Sequence, residues 1–156
     1  MKQQRRILLK AGMAAGTLAV ATSAGLLTPG RVLAAWPKDA FTAKKLPTAQ
    51  EALLGKGSAT DSNAIKVKAP DIAENGAVVS VTVSTTLPAV ESISIFVPVN
   101  AFPLSASYDI GTVTDGFITG RFKLAKTTDV VAIVKSNGKL YTAKKPVKVT
   151  LGGCGG

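Results

Sequence analysis

One residue stands apart for its chemistry: Cys154, the only cysteine of the 156 residues, set in Gly152-Gly153-Cys154-Gly155-Gly156. A thiolate is a nucleophile that can hold a group covalently as a disulfide or persulfide. Glycine has no side chain and the widest backbone freedom, so this tail is not expected to pack as a strand. Fully extended, the run from Thr150 to Cys154 reaches about 13–14 Å. The expectation from the residues is a reactive thiol at Cys154. Gly152, Gly153, Gly155 and Gly156 would form a thin flexible arm able to enter a narrow channel in another protein. A terminal carboxylate two residues away would raise the thiol above its usual pKa of about 8.5. Lys144, Lys145 and Lys148 lie back along the chain. Activation is therefore expected from the site the arm enters, through a metal or cationic pocket there.

The rest of the composition excludes most other chemistry. There is no His, which removes His-dependent Ser or Cys catalysis and c-type haem attachment, and a single Cys adds no zinc site or internal disulfide. One Cys without a resolving partner does not make a dithiol oxidoreductase. The nine acids (Asp39, Glu51, Asp61, Asp71, Glu74, Glu91, Asp109, Asp115 and Asp129) are scattered without metal-site or glycosidase spacing. No catalytic residue, metal or cofactor is expected, and the chain reads as no enzyme in itself.

The formal charge of +10 comes from 19 basic and nine acidic residues. Five of the basic ones (Lys2, Arg5, Arg6, Lys10 and Arg31) precede residue 35, where no acid occurs. Gln4-Arg5-Arg6-Ile7-Leu8-Leu9-Lys10 has the form of a twin-arginine export signal. A weakly hydrophobic Ala/Gly-rich stretch follows, diluted by Gly12, Gly16, Thr17, Thr22, Ser23 and Gly25 and ended by Pro29-Gly30. Such a stretch suits a cleaved leader better than a membrane anchor. Residues 1–34 are thus expected to be a Tat signal peptide, removed near Ala34/Ala35. The protein would cross the membrane folded, with a passenger partner, and reside in the periplasm. The mature chain would have no membrane span. It keeps one arginine, Arg121, and its lysines are dispersed, so nucleic acid is not an expected partner.

Residues 35–151 must then position the arm, and their patterning is that of strands. Ile65 and Val67 alternate with Lys66 and Lys68 until Pro70; Val79, Val81 and Val83 alternate with Ser80, Thr82 and Ser84. Ile93, Ile95 and Val97 alternate with Ser92 and Ser94, with Phe96 breaking the polar side. Ile118, Phe122 and Leu124 alternate with Thr119, Arg121 and Lys123. Residues 130–134 are continuously apolar, as in a central strand covered on both faces. Residues 140–143 and 147–151 complete seven strands. Glu74-Asn75-Gly76, Asp115-Gly116 and Ser136-Asn137-Gly138 supply turns. This spacing predicts an all-β fold, an Ig-like antiparallel β-sandwich. Ahead of it, Thr48-Ala49-Gln50-Glu51 has capping-box spacing, with Pro47 outside and Gly55 as the stop, and predicts a short N-terminal helix. Exposed sheet edges would be suited to cover by a partner subunit.

The leader, the β-rich body and the Gly-Gly-Cys-Gly-Gly tail together resemble the SoxY family of bacterial sulfur oxidation. Ala69-Pro70-Asp71-Ile72-Ala73-Glu74-Asn75-Gly76-Ala77-Val78-Val79, Leu87-Pro88 and Tyr141-Thr142-Ala143-Lys144-Lys145-Pro146-Val147-Lys148-Val149-Thr150 also resemble it. Asn100-Ala101-Phe102-Pro103 departs from the family's Asn-Pro-x-Pro stretch, and Gly120 from a more basic segment. The resemblance implies a sulfur carrier that forms a heterodimer, the SoxYZ complex, with SoxZ. It implies transient docking to the SoxAX cytochrome, which joins thiosulfate oxidatively to Cys154, and to the manganese hydrolase SoxB, which releases sulfate. SoxCD, where present, would oxidise the remaining cysteine persulfide.

Two other readings remain open from the residues. The Gly155-Gly156 ending permits a ubiquitin-like carrier with a terminal thiocarboxylate, although the ATP-dependent activation that requires is cytoplasmic. A secreted β-sandwich binding module would leave residues 152–156 without a role.

Overall fold

The computed structural model describes residues 36–111 and 116–150. In β4 (Val79–Thr85), Val79, Val81 and Val83 are buried while the residues between them face outward or lie half-buried. That alternation is the physical basis of the body: one face of each strand leaves water and must meet another sheet. β4 is the centre of a three-stranded antiparallel sheet, flanked by β2 (Ile65–Lys68) and β7 (Phe117–Phe122). Opposite it lies a larger sheet built on β5 (Val90–Phe96), β6 (Leu104–Asp109), β8 (Thr128–Ser136) and β9 (Lys139–Val149). Its order is β9-β8-β5-β6, all antiparallel. Two short strands, β1 (Thr60–Asp61) and β3 (Ile72–Ala73), add to the outer edge of β9 in parallel. The expected sandwich is therefore present, with these two parallel additions.

Ile65, Val81, Val83, Ile118 and Phe122 from the small sheet meet Ile93, Ile95, Val130, Ala132, Val134 and Val147 from the large one. Each of the Val, Ile and Phe side chains among them contributes about 1.5–3 kcal/mol by leaving water. The large sheet is also covered on its other face. Two helices, α1 (Lys38–Thr42) and α2 (Leu46–Leu54), place Ala40 and Ala49 against Phe96, Leu104, Val131 and Ile133. This second core explains two features of the sequence. Residues 130–134 are apolar throughout because β8 is central and buried on both sides. Phe96 breaks the polar alternation of β5 because its face lies under the helices.

Several local expectations need correction. Helix α2 begins at Leu46 with Lys45 as its N-cap, Pro47 lies inside its first turn, and no side chain caps it. Pro47 is favourable there, since the first-turn N–H has no helical partner, so the capping box at Thr48 and Glu51 is not used. Gly55 does end the helix, with φ of 84°. The two expected strands at 140–143 and 147–151 are one, β9, which passes straight through Pro146. Thr142 O accepts from Ser62 and Lys148 N–H donates to Asp71, so the even-numbered residues of this stretch turn their backbone groups to the outer edge. Pro146 shares that parity and lies between the segments taken by β1 and β3, where its missing donor breaks no ladder bond. β6 was not legible as a strand: Ser105, Ala106 and Ser107 are small and lack a β-branched signal. It is held by pairing to β5, including a Ser94–Ser107 hydroxyl contact of 3.0 Å.

The turns behave as their chemistry requires. Asn137 and Gly138 have φ of 48° and 69°, the positive pair of a tight hairpin between β8 and β9. Gly76 is different: it has no positive φ, but a Cβ there would strike the Leu124 carbonyl and come within 2.7 Å of Val149 Cγ1. Its glycine is a matter of room. Of the Asp115-Gly116 turn, Asp115 lies outside the described residues, and Gly116 O accepts from Thr85 N–H at 2.8 Å.

Candidate functional site

Cys154, Gly152, Gly153, Gly155 and Gly156, like Arg5 and Arg6, lie outside the described residues. What the structure places is the ground from which the Cys154 segment departs. β9 ends at Val149, and that end is held from three sides. On its outer edge β3 pairs Ile72 with Lys148 and Ala73 with Val149, and Thr150 N–H donates to Ala73 O at 3.0 Å. On its inner side Val149 N–H donates to Thr127 Oγ1 at 3.0 Å, and the Thr127 hydroxyl donates to Val149 O at 3.3 Å. From a third direction Gly76 packs against Val149, and Gly76 O accepts from Leu124 N–H at 2.7 Å.

The loops around this end are tied to one another. Asn100 Nδ2 donates to Lys123 O at 2.7 Å, and its Oδ1 accepts from Ala125 N–H at 3.0 Å. The Asn100 stretch that departs from the family pattern thus keeps a clasp on the 123–127 loop. Asn75 Oδ1 accepts from Ala77 N–H at 2.9 Å and rounds the adjoining turn. Thr150 therefore sits on a multiply bonded platform, and three residues, Leu151, Gly152 and Gly153, separate it from Cys154.

The three lysines noted near the tail have different fates. Lys145 is ion-paired with Asp71, whose carboxyl is held below the usual carboxylate range by that hydrogen bond and charge. Both groups are open to water, so the pair is screened and adds little stability. Lys148 is exposed, and Lys144 lines a cleft. That cleft, of about 520 Å³, runs between α2 and the outer face of the large sheet, with Gln50, Pro98, Asp129 and Thr142 among its walls. At the far end of the sandwich, Glu91 bonds Lys135 at 2.7 Å and accepts from Gly138 N–H at 2.6 Å, which lowers its pKa.

Sequence reasoning did not reach Thr127, and it marks Gly76 only as a turn glycine and Asn100 only as part of a stretch that departs from the family. Each acts through a partner distant in the chain, and no local spacing reports such a contact. Among the described residues no group of three or more His, Cys, Asp or Glu could hold a metal ion, and no helix is long and apolar enough to cross a membrane.

A family model described as "Sulfur oxidation protein SoxY" matches residues 50–154, a span that ends on the cysteine. The chain belongs to the SoxY family. A solved structure of the sulfur carrier protein SoxY from Chlorobium limicola f thiosulfatophilum is 45% identical. The match covers 68% of this chain and 96% of that one, with a TM-score of 0.63. A superoxide reductase (neelaredoxin) from Ignicoccus hospitalis shares the fold alone, at 21% identity, 56% and 81% coverage and a TM-score of 0.50. No curated protein matches the chain. Membership in the SoxY family makes this a sulfur-oxidation protein of the carrier type and implies partnership with SoxZ.

Proposed function

We propose that the protein carries sulfur intermediates covalently on the Cys154 thiol while partner enzymes work on them. In the first step the Cys154 thiolate and thiosulfate join through a new S–S bond. Two electrons leave to the c-type cytochrome SoxAX, giving Cys154–S–S–SO3⁻. SoxB then adds water across the S–SO3⁻ bond. Sulfate and two protons depart and a persulfide, Cys154–S–S⁻, remains. SoxCD oxidises that sulfur further, or it is passed on. This chain contributes no acid or base to these steps. It supplies the nucleophile, the reach and a rigid origin for the reach.

The observation that carries this reading is the family match over residues 50–154, which runs through the whole sandwich to the cysteine. The clamp at Val149 and Thr150 supports it, because a tether delivers its load to a defined radius only when its base is fixed. Residues 1–34 act as the twin-arginine leader through Arg5 and Arg6, residues 35–151 as the sandwich, and residues 152–156 as the arm. The mature protein works in the periplasm as a heterodimer with SoxZ. Cys154→Ser should fold with the wild-type melting curve and lose thiosulfate-dependent electron transfer to SoxAX. Full activity of that variant would overturn the reading.

A further inference from the structure

The reach of the arm has a consequence for the body. If Cys154 works inside other proteins, as proposed above, their channel mouths must come within about 13–14 Å of Thr150 at full extension. A channel of any depth uses up that length. The partner's outer surface must then rest on the loops that surround the end of β9.

Those loops carry an unusual share of exposed apolar side chains. Ile72, Val78, Val99 and Phe102 are 58%, 55%, 40% and 44% exposed, and they form most of the exposed large hydrophobics among the described residues. They belong to β3 and to the turns at 74–78 and 97–103. The 123–127 loop binds these turns together through Gly76 and Asn100. Apolar side chains gathered on one end of a small domain mark an interaction surface. The same loops are cationic on balance: Lys123 and Lys126 are exposed and make no ion pair among the described residues, and Lys44 Nζ lies 3.9 Å from the centroid of the Phe102 ring. Of the nearby acids, Glu74 is exposed in the 74–78 turn, Asp71 is engaged by Lys145 and Asp129 lines the helix cleft, so the exposed lysines outnumber the open carboxylate. A bound anion alone would have no use for exposed Ile, Val and Phe side chains.

We propose that this end of the sandwich, with Ile72, Val78, Val99 and Phe102 at its centre and Lys123 and Lys126 at its rim, is the docking face for the enzymes that process the carried sulfur. Such an enzyme presents apolar groups and acidic side chains around the mouth of its channel. The apolar centre supplies contact energy and the lysines steer encounter.

The test uses the full heterodimer loaded as Cys154–S–S–SO3⁻, with SoxB, and follows sulfate release against carrier concentration. Lys123→Glu/Lys126→Glu and, separately, Val78→Asp should each lower kcat/KM for the carrier about tenfold or more. The rate at saturating carrier should hold, as should alkylation of the unloaded thiol by iodoacetamide. Four glycines inserted after Leu151 should restore part of the loss, since the channel mouth then need not sit against this end. Unchanged kcat/KM in both variants, with Cys154→Ser inactive, would overturn the docking face and leave the carrier reading standing. Loss of heterodimer assembly in either variant would assign this end to the permanent subunit instead and also overturn it. Activity in Cys154→Ser would remove the carrier reading on which the docking face rests.

Discussion

Gly76 lies directly against the end of β9. A Cβ at this position would meet the Leu124 carbonyl, a backbone atom that cannot swing aside, and crowd Val149 Cγ1 at 2.7 Å. Gly76→Ala should therefore destabilise the fold by about 1–3 kcal/mol, the usual range for overpacking. The displacement should fall on the end of β9, so amide exchange at Val149 and Thr150 should rise more than at Val130 or Val134. A denaturation midpoint equal to wild type would show that the contact relaxes freely. The sequence marks Gly76 as a turn glycine, and a turn is there. It does not reveal the demand for space, which comes from a strand and a loop far along the chain. Asn137-Gly138, by contrast, was fully legible, because a positive-φ hairpin is set by its own two residues.

At the scale of elements, the large sheet is a shared wall. One face closes the sandwich and the other carries α1 and α2, with Phe96 fully buried on the helix side. Phe96→Ala should cost about 3–5 kcal/mol. It should also speed amide exchange in Lys38–Thr42 and Leu46–Leu54 while the β2-β4-β7 sheet keeps its protection until global unfolding. Equal loss of protection in both layers would contradict the two-core description. The period-two runs in β2, β4 and β7 were readable because each exposes one face and buries the other. β8 was readable as central for the opposite reason. β5 was readable because Ser92 and Ser94 alternate with Ile93 and Ile95, although both its faces are buried. β6 was not, since Ser105, Ala106 and Ser107 take their strand character from pairing to β5. β9 was read as two strands because Lys144-Lys145-Pro146 looks like a break. The proline is tolerated only because its backbone nitrogen faces an uncovered stretch of edge, which depends on where β1 and β3 dock. The helix was located correctly but its start was not, as the first-turn proline outweighed the Thr48 spacing.

At the scale of the whole molecule, the proposed carrier role puts the chemistry on Cys154, outside the described body. Among the described residues no group of three or more His, Cys, Asp or Glu could hold a metal ion. What the fold does supply is a β9 terminus fastened by β3, Thr127 and Gly76, and loops of mixed apolar and cationic character around it. The candidate thiol was legible from composition alone, as the one cysteine among four glycines. The fastening was not, because it is assembled from segments that meet only in three dimensions. The most direct measurement is an intact-protein and peptide mass spectrum of the purified heterodimer after incubation with thiosulfate and oxidised SoxAX. The account predicts one added thiosulfate group on the peptide bearing Cys154, removed by thiol reductant and absent from Cys154→Ser. Sulfur attached to the terminal carboxyl, or an unmodified Cys154 under turnover, would contradict it.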